Sequence, residues 1–146
     1  MKNIENKKQA LAKYTGESDI KYNADLDEYA LPDGRTYKVF TGAEADQAAA
    51  DEIKNSLWAF NADFILDHSK AADDLSDREY EQIKKSLQET QANIGESISP
   101  LVRCLIADLD DFIADAIDAD GRGHFIAQYD GDEIDLGGDL YAYRMD

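Results

Sequence analysis

From Thr41 onward the chain carries 25 acidic residues against eight basic ones, whereas residues 1–40 hold seven of each. This asymmetry constrains the fold more than any motif does. The whole net charge of −17 sits on the last 106 residues, and a compact body so charged repels itself unless an apolar core offsets the repulsion. Material for a core is present, since 43% of the 146 residues are apolar and 10% aromatic. That is a globular composition, unlike that of an acidic disordered tail. The length suits one domain, so residues 1–146 are expected to form one. A field of this sign repels nucleic acid and attracts basic surfaces. Only Lys7 with Lys8 and Lys84 with Lys85 stand as basic pairs, so direct nucleic-acid binding is not expected. No apolar run approaches the eighteen or so residues of a membrane helix, and the N-terminus lacks the apolar core of a signal peptide. The single cysteine, Cys104, excludes an internal disulfide framework and fits a reducing cytoplasm.

Local patterning predicts an α+β fold in which three main helices pack on a small antiparallel sheet built from N- and C-terminal hairpins. Residues 1–14, with Ile4, Leu11 and Tyr14 apolar, read as a short helix or a frayed arm, and residues 15–27 as irregular. Tyr29-Ala30-Leu31 and Thr36 to Phe40 flank Pro32-Asp33-Gly34, which reads as a hairpin with a turn of about three residues. Thr41 and Glu44 have capping-box spacing, which predicts a helix from about 42 to Trp58 or Phe60 with Ala49, Ile53, Leu57 and Phe60 inward. Ser76 and Glu79 repeat the spacing and open a second helix with Tyr80, Ile83 and Leu87 inward, ended or bent by Gly95. Ser99-Pro100 starts a third, over about 99–118. His124 to Tyr129 and Leu140 to Arg144 read as strands around Gly-rich turns.

The third helix carries the functional argument. At about 100° per residue, Leu101, Val102, Leu105, Ile106, Leu109, Phe112, Ile113, Ala116 and Ile117 share a broad apolar sector, and Asp108, Asp111, Asp115 and Asp118 fall opposite. Like charges at that spacing destabilise a helix by a few tenths of a kcal/mol per pair, and in the C-terminal half of a helix they also oppose the macrodipole. Lys or Arg would have served solubility without either cost. Helical rise puts successive carboxylates about 4.5–6 Å apart along the axis, the same order as the 3.4 Å phosphate spacing of one duplex strand. Asp130, Asp132, Glu133, Asp135 and Asp139 are candidates for a second acidic row.

Other constellations are weaker. Asp118 to Phe125 has the first, third, sixth and eighth positions of a calcium loop, but Arg122 occupies position five and Tyr129 position twelve. A helix stop followed by a turn explains the segment better. The two histidines, His68 and His124, lie in no ligand-spaced cluster, so neither metal nor other cofactor is expected. Cys104 reads as a packed thiol, and the abundance of carboxylate pairs in an acidic chain removes their value as evidence of catalysis. Trp58, Phe60 and Phe64 form an aromatic cluster that suits a core; with Trp58 exposed it would instead anchor a protein partner.

The segments Ser56-Leu57-Trp58-Ala59-Phe60-Asn61 and Asp120-Gly121-Arg122-Gly123-His124-Phe125, with the ending Leu140-Tyr141-Ala142-Tyr143-Arg144, resemble small phage proteins over residues 36–146. In size and acidity the chain also resembles phage and plasmid counter-defence proteins, the antirestriction DNA mimics and anti-CRISPR proteins. It departs from a uniformly acidic mimic in its neutral first forty residues and in Arg78, Lys84, Lys85, Arg103 and Arg122. The resemblance implies a non-enzymatic inhibitor acting in the cytoplasm of a bacterial host, with a basic nucleic-acid-binding protein such as a defence nuclease as partner. The nine acids named above would form the contact, and a homodimer would lengthen the acidic track. The alternatives are an interaction module using the Trp58 cluster, an adaptation to high salt, and a hydrolase using Asp118, Asp120 and His124.

Overall fold

The computed structural model describes residues 2–146, which divide into two compact units: residues up to Ala50 with Ala119–Asp146, and Asp51–Asp118. The fold class is α+β, with a five-stranded antiparallel sheet. Seven α-helices stand among the described residues where three main ones were expected.

The first unit holds the sheet, in the order β1-β2-β3-β5-β4. Its strands are β1 (Lys21–Asn23), β2 (Glu28–Ala30), β3 (Thr36–Thr41), β4 (Ile134–Gly137) and β5 (Leu140–Arg144). The Pro-Asp-Gly hairpin forms as expected. Leu31 and Arg35 close it, Gly34 takes a φ of 94°, and the Asp33 carboxylate accepts from the Arg35 amide at 3.0 Å. β1 lay in the segment expected to be irregular. Three residues with one aromatic give no alternation to read, and what makes the strand is its pairing with β2, where the Tyr22 and Tyr29 rings meet at 4.9 Å. β3 pairs with β5 from Tyr37 opposite Arg144 to Thr41 opposite Leu140, which joins the two ends of the chain in one sheet. Helix α1 (Lys2–Thr15) is a formed element whose Leu11 is fully buried with Tyr29, Tyr37, Val39 and Ala142.

His124 to Tyr129 is not a strand. Gly121, at φ 83°, turns the chain into a one-turn helix, α7 (Arg122–Ile126). The C-terminal hairpin is β4 with β5. The cause is a close approach at Gly123, where a Cβ would stand 2.6 Å from the Gly131 carbonyl oxygen and 2.7 Å from the Glu133 nitrogen. The segment therefore folds back on its own loop and does not extend.

The second unit is helical. Helix α2 (Gly42–Asn55) runs into it from the first, capped by Thr41 and Glu44 as predicted but ending before Trp58. Trp58 lies in a 3₁₀ turn, Leu57–Ala59. α3 (Ala62–Asp67), a 3₁₀ turn at Ala72–Asp74, α4 (Asp77–Ile94), α5 (Ser99–Leu105) and α6 (Leu109–Asp120) follow. The Ser76 capping box is complete, and Gly95, at φ 54°, ends α4. Of the inward set expected on α4, Leu87 is buried, Tyr80 half-buried and Ile83 42% exposed.

The expected helix over 99–118 is broken in two. Ile106 leaves helical geometry at ψ 126° and pairs with Ser69, flanked by backbone bonds from Lys70 to Leu105 and from Ala107 to His68. The apolar sector consequently divides. Val102, Ile106, Phe112, Ile113 and Ala116 are buried, while Leu101 is 52% exposed. Among the described residues no helix is long and apolar enough to cross a membrane.

Candidate functional site

Helix α6 presents Asp111, Asp115 and Asp118 on its exposed side, backed by buried Phe112, Ile113 and Ala116. Phe112 sits in an aromatic cluster, 4.9 Å from the Phe60 ring, 4.8 Å from Phe64 and 5.3 Å from His68. A rigid base of this kind holds the helix face in place. The break before α6 changes the role of Asp108. It precedes the first helical turn, and its carboxylate accepts from the Asp111 amide at 3.2 Å, so it acts as an N-terminal cap. Asp108 and Asp111 thus sit at the positive end of a helix dipole, which corrects the expectation that the row crowds the negative end. Of the four, Asp118 alone lies in the last turn, where that cost is felt. Asp115 also faces the Nε2 of His68 at 3.1 Å. The unit containing these four carries 16 acids and six bases, a net −10.

The other five predicted acids belong to the first unit and are exposed, but most have local structural work. Asp130 accepts from the Asp132 amide at 3.0 Å, Asp135 from Gly137 at 2.8 Å, and Asp139, in a left-handed conformation at φ 60°, from Gly42 at 3.2 Å. Asp130 and Asp135 are turn-forming carboxylates, whereas Asp139 ties its hairpin to the start of α2. Glu133 is fully engaged, accepting from the Arg122 Nε at 2.7 Å and from the Tyr143 hydroxyl. Asp132 is the member whose carboxylate faces solvent most simply.

Sequence reasoning treated Arg122 as an interruption of the acidic surface, and it is the hub of the first unit. Its guanidinium donates to Glu133, to the Gly42 carbonyl at 3.0 Å and to Asp46 at 3.1 Å, and lies 4.6 Å from the Tyr141 ring centre. The hydrogen bond to Glu133 is the main reason its pKa is raised. Burial, then the bond to Glu133, raises that of Tyr143. The triplet Gly121-Arg122-Gly123 marks a cation closely flanked by glycines but names none of its partners, which lie elsewhere in the chain. His124, the base of the hydrolase alternative, is exposed on α7 with its ring edge-on to Phe125 at 4.9 Å. Among the described residues no group of three or more His, Cys, Asp or Glu is arranged to hold a metal ion. Trp58 is half-buried, and the Gln91 side chain donates to its carbonyl at 3.1 Å and to that of Phe60 at 2.7 Å.

What these features amount to chemically is an anionic helix face on a packed aromatic base, in one unit, and an arginine-centred polar cluster that organises the other. No protein-family model, no curated protein and no solved structure matches the chain.

Proposed function

We propose that this chain is a non-enzymatic acidic inhibitor that occupies the basic nucleic-acid channel of a bacterial host's defence nuclease, in the manner of a DNA mimic of antirestriction or anti-CRISPR type. The observation that carries the reading is the exposed row Asp111, Asp115 and Asp118 on a helix whose opposite side is buried. Their axial spacing of about 4.5–6 Å approaches that of phosphates along one strand. Asp118 sits in the last turn of α6, where the dipole disfavours acid, a cost that function explains and solubility does not. Opposite fields speed association with a basic channel and make it salt-sensitive. The test is a tagged pull-down from bacterial lysate, eluted by a salt gradient. One nucleic-acid enzyme, released by salt or by competing duplex and lost in the folded Asp115→Lys/Asp118→Lys variant, is the expected result. Capture of the same enzyme undiminished by that variant would remove the α6 face from the reading.

A second reading rests on a different observation, an open cleft of 520 Å³ that Trp58 lines with Asn61, Lys84 and Gln91. An interaction module working there predicts capture that resists high salt and fails in Trp58→Ala.

A further inference from the structure

Away from the α6 face, the helical unit contains an apolar groove of about 310 Å³, lined by Leu66, Leu75, Ile83, Leu87, Leu101 and Leu105. Two of these are large and exposed, Ile83 at 42% and Leu101 at 52%. Ile83 belongs to the stripe that α4 would ordinarily bury, and it runs on through Leu87 and Thr90 along the groove. Ser69, 7% exposed, also lines it, and its buried hydroxyl has no hydrogen-bond partner. An apolar stripe left open along a helix is an interaction feature, because isolated exposed side chains do not line up in this way.

We propose that this groove receives the apolar face of a basic amphipathic helix from the partner, laid along α4 with one or two aliphatic side chains between Ile83 and Leu101. Helix-in-groove recognition takes anchors at i, i+3 or i+4, and i+7, which matches a groove walled by helix. Charge complementarity selects the occupant. The unit carries a net −10, and the 3₁₀ turn between lining residues Ala71 and Leu75 bears exposed Asp73 and Asp74. Lys70, Lys84 and Lys85 border the groove in sequence and balance Asp67, Asp74 and Glu89, so the attraction comes from the net charge of the unit around it. A second copy of this chain would bring the same negative field to the contact, whereas a helix with basic flanks is drawn in by it. The inference shares with the proposed function only the basic character of the partner; its site is separate from the α6 row.

The experiment uses the full chain with labelled Ile and Leu methyl groups and a synthetic helical peptide of about 18 residues, with Leu along one face and Lys elsewhere. A second peptide has Glu in place of Lys. The expected result is saturable methyl shifts centred on Leu66, Ile83, Leu101 and Leu105. Affinity should fall about tenfold in Ile83→Asp and in Leu101→Asp, and should be weaker for the Glu peptide. Asp115→Lys/Asp118→Lys should leave the groove shifts in place, so failure here and failure of the α6 reading are told apart. Shifts spread over the acidic surface with unchanged affinity in both groove variants would overturn the proposal. So would equal binding of the Glu peptide, or a dimer in sedimentation that Leu101→Asp dissolves. Both substitutions are at exposed positions, and circular dichroism checks that each variant is folded.

Discussion

Gly123 has less freedom to change than any other glycine in the chain, because the atoms a methyl group would strike belong to backbone that cannot rotate away. Gly123→Ala is expected to destabilise by about 1–3 kcal/mol in urea unfolding, the usual range for overpacking. Beside it, Arg122 and Tyr143 both serve Glu133, but unequally. Tyr143→Phe removes one hydrogen bond and leaves Glu133 on Arg122, a loss of about 1 kcal/mol. Arg122→Met removes the bonds to Glu133, Asp46 and the Gly42 carbonyl together, and should cost about 3 kcal/mol. The ordering is the test: if the two variants unfold at the same urea concentration, Arg122 is not the hub the geometry describes.

At the level of the element, α6 separates aspartates that stabilise from aspartates that do not. Asp108→Ala should cost about 1 kcal/mol through loss of the cap. Asp118→Lys, at the other end, should gain about 0.3–1 kcal/mol from the dipole. Thermal melts of the two variants should therefore shift in opposite directions. The break that creates this contrast was partly readable. Asp108 stands three residues before Asp111, which is the spacing used correctly at Thr41 with Glu44 and at Ser76 with Glu79. The helical spacing of apolar residues, kept from Leu101 to Ile117, hid it, since periodicity does not register a short break at residues 106–108 where Ile106 pairs with Ser69. Caps and the Pro-Asp-Gly turn were legible because each is decided by neighbours in sequence, and the strand at Leu140–Arg144 because its own residues are β-prone, although its partner β3 is distant. The strand β1 was not, because three residues are too few to show alternation even though its partner β2 follows closely in sequence. Nor were the one-turn helix α7, which depends on a close backbone approach, and the partners of Arg122, which include Gly42 and Asp46 far back along the chain. The acids are exposed as expected, yet the turn duties of Asp130 and Asp135 and the bond of Asp139 to Gly42 are visible only once the loops are folded.

For the whole molecule, the net charge of −17 makes salt a stabiliser. The Debye length falls from about 10 Å at 0.1 M to about 3 Å at 1 M, so repulsion among exposed carboxylates is screened while the apolar cores are untouched. The melting temperature should rise with sodium chloride, and a fall would mean that the ion pairs of Arg122 and Lys7 outweigh the repulsion. Acid acts differently. The Ser76 amide lowers the pKa of Glu79; for Glu44 burial opposes the shift, but the Thr41 amide and Lys7 together lower it. Carboxyls lowered in the native state contribute fully above the ordinary Glu value of about 4.3, and the contribution is lost as pH falls through their lower native values. Both helix starts should therefore loosen in that acidic window, as amide exchange at Glu44 and Glu79 would report. The pairing of β3 with β5 has a consequence in time as well as in space. Thr36–Thr41 waits for Leu140–Arg144, with all of residues 51–118 between them. Long-range pairing of this kind is slow relative to local helix formation. A chain growing from its N-terminus must therefore hold an open edge of β3 through the synthesis of its helical unit, and the order of assembly is set by topology: helices and local hairpins first, the seam between β3 and β5 last.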